Sequence, residues 1–215
     1  AGIKVLPVLG RACRIQFGTL RPLLAYGGWV TVSNVVGPFL TYMDRFLIGA
    51  LLSMAAVGFY TAPYEAVTRL VVFPTSLVAT LFPAFSSLGA TGSKQMLDQL
   101  YARSLKSLLL VMGPLLCLVV VFAHEILSLW LGGQFPEKST LVLQILAIGV
   151  LISSLAYIPF SLLQGMGRPD LTAKFHLLEL PVHFGLVWFL VGRMGIAGAA
   201  LAWAIRACLL YTSDA

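Results

Sequence analysis

Long apolar runs, more than any motif, limit what this chain can fold into. Six follow one another, at about residues 23–52, 55–88, 105–122, 141–163, 175–191 and from 196 onwards. About 20 helical residues cross the roughly 30 Å hydrocarbon core of a bilayer, where every backbone N–H and C=O must be satisfied by the chain itself. Runs of this length predict membrane-spanning helices. Composition agrees, since 59% of the 215 residues are hydrophobic and 10% charged, against about 25% charged in soluble domains, with a mean hydropathy of +0.94. A water-soluble globule is excluded, as are collagen-like, disulfide-scaffold and disordered chains. The expected fold class is an all-α polytopic membrane protein built as a six-helix transmembrane bundle.

The spans are not uniform. The first is long enough to tilt, kink or protrude, and it holds Gly27, Gly28, Pro38 and the charged pair Asp44 and Arg45. The second carries Pro63, Pro74 and Pro83 together with Glu65 and Arg69; the third is the cleanest, broken only by Gly113 and Pro114. A proline inside a helix removes a donor and bends the axis. Pro38, Pro63, Pro74 and Pro181 are therefore hinge candidates, with static, packed kinks as the alternative.

Fourteen basic and eight acidic residues give a net charge of +6. Their placement argues for membrane orientation instead of a nucleic-acid surface. Lys4, Arg11, Arg14, Arg21, Lys94, Arg103, Lys106, Arg168 and Lys174 collect on one side, against Lys138 and Arg193 on the other, which places the start of the chain in the cytoplasm. Residues 1–22 read as a cytoplasmic segment, either an amphipathic interfacial helix or a plain linker. Residues 23–207 read as the transmembrane bundle, and 208–215 resemble a translated sequencing adapter. The chain is thus expected to be a fragment. Trp130 suits the opposite membrane interface, followed by Gly132, Gly133 and Pro136 as helix breakers. Cys13, Cys117 and Cys208 have neither disulfide-framework nor zinc spacing.

Charges inside spans cost at least a few kcal/mol each on insertion scales and so mark candidate sites. Asp44 and Arg45, as neighbours, lie about 100° apart on a helix. Glu65 and Arg69 stand four apart in the acid-before-base order that favours an ion pair. Glu179 and His183 share that spacing around Pro181, and His176 lies a turn earlier. Each pair either holds helices together or lines a polar cavity. In a cavity, an arginine offers a bidentate fork to phosphate, while Glu179 and His183 could carry protons or bind a coupling cation. Catalytic templates are missing: no HExxH, GxSxG or P-loop occurs, and the glycine turn at 165–168 has no weight as a nucleotide motif. No enzyme activity, cofactor or metal is expected.

The run YGGWVTVSNVVGPFLTYMDRFLIGALLSMAAVGFYTAPYEAVTRL at 26–70 resembles the polysaccharide flippases of the multidrug/oligosaccharidyl-lipid/polysaccharide exporter superfamily. PTSLVATLFPAFSSL at 74–88, LLQGMGRPDLTAKFHLLELP at 162–181 and IAGAALAWAIR at 196–206 resemble later segments of the same proteins. The resemblance implies one lobe, the C-terminal one, of a twelve-helix exporter whose two lobes rock to give alternating access. It implies flipping of polyprenyl-pyrophosphate-linked oligosaccharide for O-antigen, capsule or exopolysaccharide across a bacterial inner membrane. The partners implied are that lipid-linked substrate, the missing N-terminal lobe, membrane lipids and a polysaccharide polymerase. Arg45 and Arg69 would attract phosphate in a cationic cavity, with Asp44 and Glu65 positioning them or holding a coupling ion. The rivals are a cation-coupled multidrug exporter, which Arg45 and Arg69 disfavour, and a membrane enzyme of polysaccharide assembly, which lacks a catalytic set.

Overall fold

The computed structural model describes the backbone of residues 17–91, 94–165 and 169–213, and side chains chiefly over 34–88, 95–162 and 177–208. The expected amphipathic segment before residue 17, the side chain of His176 and the side chains of the adapter-like end after residue 208 lie outside the described residues.

Every described element is helical. The chain runs through α1 (Phe17–Leu51), α2 (Met54–Thr68), a 3-10 turn (Arg69–Val71), α3 (Val72–Thr91), α4 (Lys94–Val121), the short α5 (Ala123–Trp130), α6 (Phe135–Gly165), α7 (Pro169–Met194) and α8 (Ile196–Ser213). Four segments are long and apolar enough to cross a membrane: Met54–Leu88, Gln95–Val121, Phe135–Leu162 and Leu177–Met194. Ile196–Cys208 is a shorter apolar helix. The all-α polytopic class stands, and four spans meet those criteria among the described residues, so the expected count of six is not confirmed.

Local chemistry explains the breaks. Ser53 caps α2, its hydroxyl oxygen accepting the Ala56 N–H at 3.2 Å. Between α2 and α3 the Val72 N–H bonds back to the Arg69 carbonyl, a tighter i to i+3 closure. Pro74 lies in the first turn of α3 and has no N–H to give the carbonyl of Leu70, which favours the change of helix type there. Pro38, Pro63 and Pro181 lie within uninterrupted helices. Gly132 and Gly133 end α5, so the segment read as an interfacial stretch contains a short helix of its own. Gly195, at φ +62, makes the corner between α7 and α8, where an L side chain would be strained.

The long helix α6 is the centre of the bundle and packs against α2, α3, α4, α5 and α8, while α1 lies along α7 and α7 against α8. Leu40, Ile48, Leu146, Val150, Ile158 and Val187 form the buried core. Ala199, Ala200 and Ala202 on α8 are also buried, small residues of the kind that let membrane helices approach closely. Polar links cross between helices. The Ser139 hydroxyl donates to the Phe59 carbonyl at 2.7 Å, and Gln144 Nε2 donates to the Val120 carbonyl at 3.0 Å.

Candidate substrate cavity and its charged network

Asp44 and Arg45 are consecutive on α1, and the helix turns them to different surroundings. Asp44 is fully buried. Its Oδ2 accepts the Tyr60 hydroxyl of α2 at 3.0 Å, and its Oδ1 lies 2.9 Å from Nε2 of His183 on α7. His183 is 1% exposed, and its Nδ1 is buried without a hydrogen-bond partner. A proton on Nε2 suits this geometry: that nitrogen donates to the carboxylate and Nδ1 remains a bare acceptor. Three helices thus meet on one carboxylate.

Arg45 points elsewhere. Its Nη2 donates to Glu65 Oε1 at 2.7 Å, and its guanidinium lies 4.7 Å from the Tyr64 ring centre and 5.2 Å from that of Tyr42. Cation–π attraction adds to the ion pair in this arrangement. The side chains are 15% exposed for Arg45 and 49% for Glu65, so this pair is open where the Asp44 cluster is closed. A third pair joins α8 to α7, with Arg206 Nε donating to Glu179 Oε1 at 2.6 Å and both side chains mostly buried.

Beside these pairs lies a cavity of about 430 Å³ between α1, α2, α6 and α8, within the usual range of small-ligand sites, about 300–1,000 Å³. Its polar wall is made by Thr41, Tyr64, Thr68, Ser153, Tyr157 and Arg206, and Phe160 and Trp203 add aromatic surface. The three small hydroxyls are committed as donors to carbonyls of their own helices: Thr41 to Gly37 at 3.0 Å, Thr68 to Tyr64 at 2.7 Å and Ser153 to Val150 at 3.0 Å. Their oxygens keep lone pairs for accepting. The Trp203 indole also packs edge-to-face on Tyr64, ring centres 5.7 Å apart. Behind Trp203 sits Gly149 on α6, where an added Cβ would come within 2.8 Å of the indole. The absence of a side chain at 149 therefore lets the ring sit where it does.

Comparison with known proteins places the chain. Residues 10–140 match the family described as polysaccharide biosynthesis protein, which is more than half of the sequence. The chain belongs to the polysaccharide biosynthesis protein family. It is 32% identical over 193 residues to a Shigella flexneri protein named "Putative O-antigen transporter", covering 90% of this chain and 46% of that one. It is 28% identical over 190 residues to a probable low-salt glycan biosynthesis flippase of Haloferax volcanii, covering 88% of this chain and 40% of that protein. A second probable flippase of the same organism is 23% identical over 177 residues, 81% of this chain and 37% of that one. The chain spans less than half the length of these relatives. No solved structure matches it significantly. With its apolar helices, this member of the polysaccharide biosynthesis protein family is a multi-pass membrane protein. The relatives carry transporter and flippase names, not enzyme names.

In this family member the charged pairs differ from those expected from spacing. Glu65 does not bond Arg69 but reaches across to Arg45. α2 ends at Thr68 and Arg69 opens the tighter 3-10 turn, while the Glu65 carboxylate is engaged by Arg45 of α1. Glu179 and His183 likewise take partners on other helices, Arg206 and Asp44. Arg206 is a fixed cation with a planar fork, whereas imidazole need not be charged. Arg69 is exposed and makes no ion pair among the described residues, though its neighbours Thr68 and Val71 line the cavity. Arg206 and the aromatic wall were missed as site residues. The available signal was a cation inside the last apolar run. Its partner, 27 positions away on another helix, had no local signature. Among the described residues no group of three or more His, Cys, Asp or Glu could hold a metal.

Proposed function

We propose that this chain forms one lobe of a transporter that flips polyprenyl-pyrophosphate-linked oligosaccharide across a bacterial inner membrane, for assembly of cell-surface polysaccharide. The observation that carries the proposal is the 430 Å³ cavity with polar and aromatic walls, set among helices otherwise packed with apolar side chains. Sugar hydroxyls and a pyrophosphate cannot cross hydrocarbon unaided, and a cavity between helices shields them while the polyprenyl tail stays in lipid. The names of the relatives support this substrate class.

In this proposal the roles divide by environment. Arg69, without an ion-pair partner among the described residues, is the cation best able to attract pyrophosphate. Arg45, held by Glu65, supports the cavity wall through Tyr64. Asp44 and His183 form the closed cluster in which a proton could be carried as the lobes rock, and Glu179 restrains Arg206. The excess of basic residues in alternate connections supports a cytoplasmic start. The cavity lacks its opposite wall until a second six-helix lobe of the same transporter faces it.

The test is made in the whole transporter, expressed in a strain lacking it. Arg69→Ala is expected to reduce surface glycan at least about tenfold, a loss of roughly 1.4 kcal/mol or more in the step it serves. Lipid-linked oligosaccharide should then accumulate on the cytoplasmic side. Full glycan display by that variant would remove Arg69 from the pyrophosphate role. Drug resistance conferred by the unaltered transporter, without any glycan phenotype on deletion, would overturn the flippase itself.

A further inference from the structure

We propose that the cavity between α1, α2, α6 and α8 is a subsite for a neutral saccharide ring, separate in chemistry from whatever holds the pyrophosphate. The inference rests on the flippase proposal and names which part of the substrate this cavity takes.

Three features lead to it. First, the one cation in the wall among the described residues is compensated: Arg206 is bonded to Glu179 at 2.6 Å, with side-chain exposures of 12% and 8%. An anion placed here would find a guanidinium whose charge is already offset by the Glu179 carboxylate behind it, so the cavity offers little net attraction for phosphate. Second, the small hydroxyls face the wrong way for an anion. Thr41, Thr68 and Ser153 spend their protons on helix carbonyls and present acceptors, which repel phosphate oxygens and receive sugar O–H groups. Third, Tyr64, Tyr157, Phe160 and Trp203 contribute aromatic surface. Flat aromatic faces pack against the C–H faces of a sugar ring, and the two tyrosine hydroxyls sit beside them as polar handles. Acceptors, aromatic faces and a neutralised cation together describe a pyranose. A phosphate site calls for uncompensated donors.

The experiment uses the whole transporter, with both lobes, in lipid nanodiscs and equilibrium dialysis of radiolabelled octyl probes, with binding to empty discs subtracted. The probes share one tail and differ in head group: glucoside, galactoside, N-acetylglucosaminide and phosphate. At least one neutral glycoside is expected to bind saturably and about tenfold or more tighter than octyl phosphate, a difference of about 1.4 kcal/mol. Trp203→Ala should weaken that glycoside about tenfold, and Tyr157→Phe, which keeps the ring and removes one hydroxyl, about three- to tenfold. Glu179→Gln should raise affinity for octyl phosphate about fivefold or more by releasing the charge of Arg206, a gain that a misfolded variant could not produce. Octyl phosphate binding as tightly as every glycoside would overturn the proposal. So would no glycoside binding above empty discs, or folded Trp203→Ala and Tyr157→Phe variants that bind as the parent does. Lost glycoside binding with an intact glycan phenotype strikes the subsite alone. Glycoside binding with no glycan phenotype on deletion strikes the flippase proposal instead.

Discussion

Asp44 and Arg45 occupy adjacent positions on one helix and live in opposite conditions. Asp44 is sealed among α1, α2 and α7, with Tyr60 and His183 on its two oxygens and no exposed surface. Arg45 leans over Tyr42 and Tyr64 and pairs with a carboxylate that is about half exposed. A rotation of about 100° per residue separates them. The difference teaches that charge within a span has two uses here. A sealed charge makes helix packing depend on its partners, because losing one strands the others away from water. A more open pair contributes less to packing, because water screens it and takes over when one partner is lost.

Changes that strand the sealed cluster should have the largest effect. Asp44→Leu leaves the Tyr60 hydroxyl and the His183 Nε2 buried without an acceptor, and it should lower stability by about 3 kcal/mol or more, read as loss of monodisperse protein or a lower unfolding midpoint in nanodiscs. His183→Leu should cost somewhat less, about 1–3 kcal/mol, because Tyr60 still donates to the carboxylate. If either variant is as stable as the parent, the cluster is not a packing element and the contrast with Arg45 collapses. The double change Asp44→Leu with His183→Leu sharpens the comparison. Removing both hydrogen-bonded partners should recover part of the loss seen with Asp44→Leu alone, and a double variant worse than the sum of the two singles would point to a role for the apolar contacts instead. The smallest effect belongs to the open pair. A double-mutant cycle on Arg45→Ala and Glu65→Ala should return a coupling of about 1 kcal/mol or less, measured by the same unfolding assay, and a coupling as large as that of Asp44 with His183 would erase the distinction.

The fold was largely legible because the bilayer imposes a length on every apolar run. The breaks also announced themselves, with Pro74 beside the 3-10 turn and Gly132 and Gly133 after α5. The charged residues were legible as positions but not as partners. Spacing along one helix reveals only neighbours on that helix, so Glu65 was matched with Arg69 and Glu179 with His183. The contacts that form lie 20, 27 and 139 positions apart, for Arg45 with Glu65, Arg206 with Glu179 and Asp44 with His183. They depend on how α1, α2, α7 and α8 are laid against one another, which no local pattern encodes. The aromatic wall was illegible for another reason. Tyr64, Tyr157, Phe160 and Trp203 look like ordinary membrane-helix residues until three helices bring them around one space.

Gly149 does not line the cavity, yet it stands directly behind the indole of Trp203. A single methyl group added there would come within 2.8 Å of the ring and force the indole to shift. The shape of the cavity wall therefore depends in part on a position outside the lining. A change of residue at that backstop would reshape the wall while every lining side chain kept its identity.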